Sequence, residues 1–94
     1  MANYRLNKQA KKDLIRIHQY GVLKFGVDQA DQYLRDFFDQ FEVIARYPER
    51  YPKVDFIRKG YRRCVCGVDS IYYRVQHEIV EIMAIVGRQE MDLM

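Results

Sequence analysis

One stretch limits what this chain can become. Between Asp28 and Pro48, the residues Ala30, Tyr33, Leu34, Phe37, Phe38, Phe41, Ile44 and Ala45 recur at three- and four-residue spacing. That spacing lays an apolar stripe along one side of a helix, while Asp36, Asp39 and Gln40 fall elsewhere on its circumference. Asp28 is placed to cap its start and Asp31 to complement its dipole. Pro48 ends it, because the ring removes a donor and the preceding residue avoids helical geometry. In a chain of 94 residues a stripe this long must be covered by most of the remaining structure, so it is core before it is a ligand pocket.

The segment before it has the same period. Ala10, Leu14, Ile17 and Gly21 share a face, with Lys8, Lys11, Lys12 and Arg16 largely on others. Asn7 is a natural N-cap, and Gly26 suits the left-handed position that closes the helix. Ahead of Asn7, "NYRLN" alternates as a short half-buried strand does. After Gly60 the period changes to two. "YRRCVC", "SIYYRV" and "EIVEIMAIV" are three strand-like runs with turns at "GVD" and "QH", and connections this short demand antiparallel neighbours. "PERYPKVDFIRKG" between helix and strands reads as an irregular crossing loop. The expected fold is a single α+β domain over residues 1–94 with the order β-α-α-β-β-β. A two-helix hairpin packs on one face of a small, mainly antiparallel sheet. The other face, carrying some of Arg62, Tyr72, Arg74, Glu78 and Glu81, is then open.

Cys64 and Cys66 alternate onto one face of a strand with parallel side chains, poor geometry for a mutual disulfide. They lack the second ligand pair of a structural zinc site and read as core, so neither a metal nor a cofactor is expected. No apolar run approaches the ~20 residues of a membrane span, and "MANYRLNKQAKK" has no signal-peptide core. The expectation is a cytoplasmic protein with no membrane contact. The net charge of +3 is unevenly spread. Residues 1–25 carry six Lys/Arg against one acid, residues 26–45 one against five, and residues 46–63 seven against two. Such blocks favour an acidic partner.

Taken together, "AKKDLIRIHQY", "QADQYLRDF", "ARYPE" and "GYRR…IYYRV…IVEIMAIVGRQE" resemble the RelE/ParE toxin superfamily, and within it the ParE branch. The resemblance covers nearly the whole chain. It implies the toxin half of a type II toxin–antitoxin pair, bound in a hetero-oligomeric complex by a ParD-like antitoxin. It also implies one of two targets. ParE-type toxins bind DNA gyrase, here expected at the A subunit, and block replication. RelE-type toxins cut messenger RNA on the ribosome.

RNA cleavage through the 2′-hydroxyl needs a base, a cation for the phosphorane charge and an acid for the leaving oxygen. Arg62, Arg63, Arg74 and Arg88 supply cations. After Arg88 come Gln89, Glu90, Met91, Asp92, Leu93 and Met94, with neither the His nor the Tyr common in RelE-like nucleases, and the position before it is Gly87. His18 reads as mid-helix and His77 as a turn residue. The expectation is therefore a non-enzymatic gyrase inhibitor with no catalytic residues. Its target contacts are Arg62, Arg63, Arg88, Met91, Leu93 and Met94, and its antitoxin contacts are Lys11, Lys12, Arg16, Arg50 and Arg58 in a groove between hairpin and sheet. The ribosome-dependent endoribonuclease is the alternative. Sequence-specific DNA binding is not expected, because no basic helix carries exposed base-stacking aromatics.

Overall fold

The computed structural model describes residues 3–87. The element order is β1 (Tyr4–Leu6), α1 (Lys8–Phe25), α2 (Val27–Arg46), β2 (Arg62–Cys66), β3 (Asp69–Gln76) and β4 (Ile79–Gly87). The strands form one sheet in the order β1-β4-β3-β2. β2, β3 and β4 are an antiparallel meander, and β1 joins β4 in parallel through Tyr4–Val80, Arg5–Glu81 and Leu6–Ile82. This is the architecture expected from the periodicities, with a mixed sheet.

The helical stripe packs as its spacing requires. Phe37, Phe41 and Ile44 are fully buried against Cys64, Ile71, Tyr73, Val80, Ile82 and Ile85 on the inner sheet face. Each such side chain contributes about 1.5–3 kcal/mol relative to exposure. Phe38, also counted in the stripe, lies at its margin and is 39% exposed, its ring edge-on to Phe41. Along β3 and β4, strict alternation is interrupted at Tyr72/Tyr73, where Tyr72 faces Ala84 but Tyr73 faces Ile82. Met83 is the extra residue of this bulge, and it lets Ile82 and Ile85 both point into the core although they are three apart.

The caps differ slightly from expectation. Asn7 does cap α1, its Oδ1 accepting from the Ala10 N–H at 2.9 Å. α2, however, starts at Val27 with Gly26 as its N-cap, φ +92°, so Asp28 lies inside the first turn and makes no cap bond. Near their connection the helices come so close that a Cβ on Gly21 would sit 3.3 Å from that of Ala30, tighter than ordinary packing. At the β2–β3 turn Gly67 has φ +61°, and a Cβ there would lie 2.7 Å from the Tyr33 hydroxyl oxygen. That hydroxyl is held 2.8 Å from the Cys66 carbonyl and 2.7 Å from Asp69 Oδ2, fastening α2 to the turn.

β1 covers β4 only as far as Ile82. Past that point the β4 edge is satisfied by side chains of α1 instead of a strand. Asp13, 6% exposed, accepts the Ile85 N–H on Oδ2 at 2.9 Å, and Arg16 Nη2 reaches the Ile85 carbonyl at 3.4 Å. Gln9 Nε2 holds the other Asp13 oxygen at 3.0 Å. A carboxylate thus stands where a neighbouring strand's carbonyl would be.

Two stability predictions follow from these contacts. Asp13→Ala leaves a buried amide without its acceptor and should cost about 2 kcal/mol in urea unfolding, whereas a mere surface contact would cost almost nothing. In the β3–β4 turn both His77 (φ +54°) and Glu78 (φ +64°) adopt conformations that L side chains resist. Glu78→Gly should stabilise the chain by about 1 kcal/mol, read as a Tm increase of roughly 4–8 °C.

Candidate functional site

The helices occupy one side of the sheet, so the polar positions of β1, β3 and β4 are gathered on the other. One register row carries Arg5, Glu81 and Arg74 from three adjacent strands. Glu81 is clamped between the two cations. Arg74 Nε and Nη2 lie 2.9 and 2.8 Å from Oε1, and Arg5 Nε lies 3.4 Å from Oε2. The Glu81 side chain is only 12% exposed, against 39% for Arg74 and 58% for Arg5. The next row sets Arg63 opposite Tyr72. Tyr72 is 6% exposed, although it lies on the face away from the helices. The row pattern therefore makes a cationic platform of Arg5, Arg63 and Arg74 around one carboxylate that both arginines of its own row already engage.

Arg62 and Arg63 are neighbours on β2 and so point to opposite faces of the sheet. Arg62 faces the helix side, paired in register with Tyr73, and its Nη1 donates to the Tyr51 carbonyl at 2.6 Å. Arg88, Met91, Leu93 and Met94 lie outside the described residues. The residues expected to meet an antitoxin fall in two places. Lys11, Lys12 and Arg16 are exposed on α1, with Arg16 also 3.6 Å from Asp13. Arg50 and Arg58 belong to the segment after α2, where Arg50 stacks 4.4 Å above the Tyr47 ring and Arg58 5.8 Å above that of Tyr61.

Several other ionisable groups have structural partners. His18 Nε2 is 2.7 Å from Asp31 Oδ1 and ties α1 to α2. His77 sits in the β3–β4 turn. Burial, reinforced by the bond to Asp69, pushes the Tyr33 hydroxyl well above the usual tyrosine range. Burial does the same for Tyr73, against a smaller opposing pull from Arg62, and the Tyr73 hydroxyl donates to the Pro48 carbonyl. Burial, with Cys64 beside it, pushes the Cys66 thiol up to about 11, so both cysteines are protonated and inert near neutral pH. Among the described residues no group of three or more His, Cys, Asp or Glu is placed to hold a metal ion, and no helix is long and apolar enough to cross a membrane.

Sequence reasoning placed Arg74 and Glu81 on this face but missed Arg5. The alternation of Tyr4 and Leu6 already turned Arg5 outward; what it could not give was the neighbouring strand.

A hairpin of two helices on one side of a β1-β4-β3-β2 sheet is a fold shared with solved toxin–antitoxin structures. The "Chromosomal ParDE TA system from P. aeruginosa" superposes with TM-score 0.81 at 19% identity, covering 93% of this chain and 96% of that one. The toxin–antitoxin complex RelBE2 from Mycobacterium tuberculosis superposes with TM-score 0.62 at 18% identity, over 93% and 98%. In sequence, the family described as "ParE toxin of type II toxin-antitoxin system, parDE" matches residues 4–93. The chain is 38% identical to Toxin ParE1 of Caulobacter vibrioides over 85 residues, 88% of each chain. It is 34% identical to Toxin ParE1 of Mycobacterium tuberculosis over 92 residues, 98% of this chain and 94% of that one. The chain belongs to the ParE toxin family of type II toxin–antitoxin systems.

The clamp itself can be tested. Glu81→Ala should cost about 1 kcal/mol of stability, because the lost pairs are partly solvated. It should also release two arginines, so the variant should elute from heparin at higher salt than the parent; unchanged elution would mean that Glu81 does not mask them.

Proposed function

We propose that this toxin arrests growth by binding DNA gyrase, at the A subunit, with no bond-making step of its own. One observation carries the reading. The carboxylate on the cationic face, Glu81, has Oε1 engaged by Arg74 and Oε2 by Arg5. Both of its oxygens are thus already occupied by guanidinium groups, whereas 2′-hydroxyl attack needs an acceptor left open beside the reacting hydroxyl. Tyr72, the nearest candidate for an acid, is largely withdrawn from solvent. The face is therefore better built to grip than to cut, and its arginines suit the carboxylates of a protein surface. Membership of the ParE family supports the same choice of target.

A ParD-like antitoxin holds the toxin inactive in a hetero-oligomeric complex in the cytoplasm. The likeness to the ParDE and RelBE2 assemblies supports an antitoxin partner. Lys11, Lys12 and Arg16 on α1 and Arg50 and Arg58 beyond α2 are its cationic contacts, approached by one acidic segment at two separate places. Arg62, Arg63 and Arg88 with Met91, Leu93 and Met94 make the target contact. Because Arg62 and Arg63 point to opposite faces, that contact wraps the β2 edge.

The exposed arginine platform also suits a polyanion, which keeps the messenger-RNA endoribonuclease as the second reading. Purified toxin added to DNA gyrase in a supercoiling assay should inhibit it at near-stoichiometric amounts. No inhibition at excess, together with cleavage of ribosome-bound messenger RNA that Arg74→Ala abolishes, would replace the first reading by the second.

A further inference from the structure

The connection from α2 to β2 is a built structure. Val54, 2% exposed, anchors it in the core. The Val54 N–H donates to the Tyr61 carbonyl at 2.8 Å, and its own carbonyl accepts from Ile57 at 2.8 Å and Arg58 at 3.0 Å. Tyr61 donates to the Arg58 carbonyl at 3.1 Å, and Gly60, φ +85°, donates to Asp55 Oδ1 at 2.8 Å. Its start is tied to β2 through the Lys53–Arg62 bridge and the Arg63 N–H on the Pro52 carbonyl at 3.1 Å, and its end at Tyr61 runs directly into β2. On this braced turn Phe56 stands 83% exposed, with Ile57 beside it at 48%.

A lone surface phenylalanine needs no function. Here two adjacent apolar residues are held on a backbone whose ordering has been met by internal hydrogen bonds, so a partner that buries them has little loop entropy left to overcome. Their surroundings are mainly cationic, although Glu49 also lines the cavity beside them. Between Lys53 and Arg62 there are four cations and one acid, and that acid, Asp55, already binds Gly60. A cavity of about 370 Å³ beside the loop is lined by Lys53, Asp55, Lys59 and Arg62 among others, which places the loop on the same surface as Arg62.

We propose that this loop is a preformed docking knob: Phe56, flanked by Lys53, Arg58 and Lys59, enters an apolar pocket rimmed by carboxylates on the protein whose inhibition arrests growth. The inference deepens the target-binding reading and rests on it for the participation of Arg62. It adds an apolar anchor beside Arg62 to that contact, and large apolar side chains at the centre of an interface carry most of its energy.

Phe56→Ser is the test, because a residue so exposed does not support the fold. The variant, purified with its cognate antitoxin, should melt within about 2 °C of the parent and bind antitoxin within about twofold. Induced without antitoxin, it should need at least about tenfold more protein to arrest growth. Leu23→Ser in α1, where the parent residue is 89% exposed, controls for loss of surface apolarity and should arrest growth as the parent does. Undiminished arrest by Phe56→Ser, an equal loss in Leu23→Ser, or an equal loss of antitoxin binding would each overturn the knob. Binding of purified DNA gyrase to immobilised parent toxin is read separately. If the parent arrests growth but holds no gyrase, the gyrase assignment falls while the growth comparison still decides the knob; a parent that arrests nothing overturns both.

Discussion

Burial of Phe37, Phe41 and Ile44 against one side of the sheet is the constraint on which the rest depends. A chain of 94 residues has one core, and this stripe makes it with Ala10 and Leu14 of α1 and with Cys64, Ile71, Tyr73, Val80, Ile82 and Ile85 of β2, β3 and β4. Everything else is placed by that commitment. The helices must lie together, so their connection shrinks to Gly26, and Gly21 lets Ala30 approach. The outer strand positions are left to Arg5, Arg63, Arg74 and Glu81. The segment between α2 and β2 must travel from a helix end to the sheet edge, and it does so as a braced turn anchored by Val54. What the toxin presents to partners is what its core has no use for.

Much of this was legible because periodicity reports burial directly. The spacing from Ala30 to Ala45, the stop at Pro48 and the change to period two after Gly60 fix two helices and three strands without any tertiary knowledge. The parts that were not legible depend on pairing. β1 is three residues long, and nothing in "YRL" says that it lies parallel to β4. Hence Arg5 could not be joined to Glu81. The Met83 bulge is likewise invisible, because "IMAI" reads equally well as unbroken strand. Asp28 looked like a cap by residue type, but Gly26, free to adopt φ +92°, starts the helix earlier. Opposite faces for Arg62 and Arg63 were implicit in period two; where the two faces lead required the fold. The loop at Phe56 was read as irregular because its order comes from backbone bonds and one buried valine, which leave no pattern in composition.

The electrostatics separate gripping from cutting more sharply than a count of arginines does. Cations on an open sheet face are compatible with either. The difference lies in what the neighbouring groups are free to do. Glu81 is paired with two guanidinium groups, His18 is bonded to Asp31 and His77 lies in a turn, and the thiols of Cys64 and Cys66 are held protonated by burial. A face of this kind suits carboxylates or phosphates, and the Glu81 carboxylate that shares it is already engaged by Arg5 and Arg74. Arginine also keeps its charge through any pH a cell meets, so such a surface grips without being a switch.

Interface size then bears on how much room one small toxin has for partners. A standard interface takes about 800 Å² from each side, which is about an eighth of the 6743 Å² that this chain exposes. Two partners therefore have room to bind without overlap, and an antitoxin that merely bound somewhere would not have to neutralise. The cationic residues of α1 and those around Arg58 lie on different elements, so a segment touching both must pass over a large part of the molecule. Arg58 belongs to the same braced turn that lifts Phe56. An acidic antitoxin segment seated on Arg58 would stand beside that phenylalanine and compete for its surroundings, whereas one confined to Lys11, Lys12 and Arg16 would leave it uncovered. On the contacts proposed above, neutralisation by occlusion would demand the second of the two regions, and the first would chiefly add affinity and speed association.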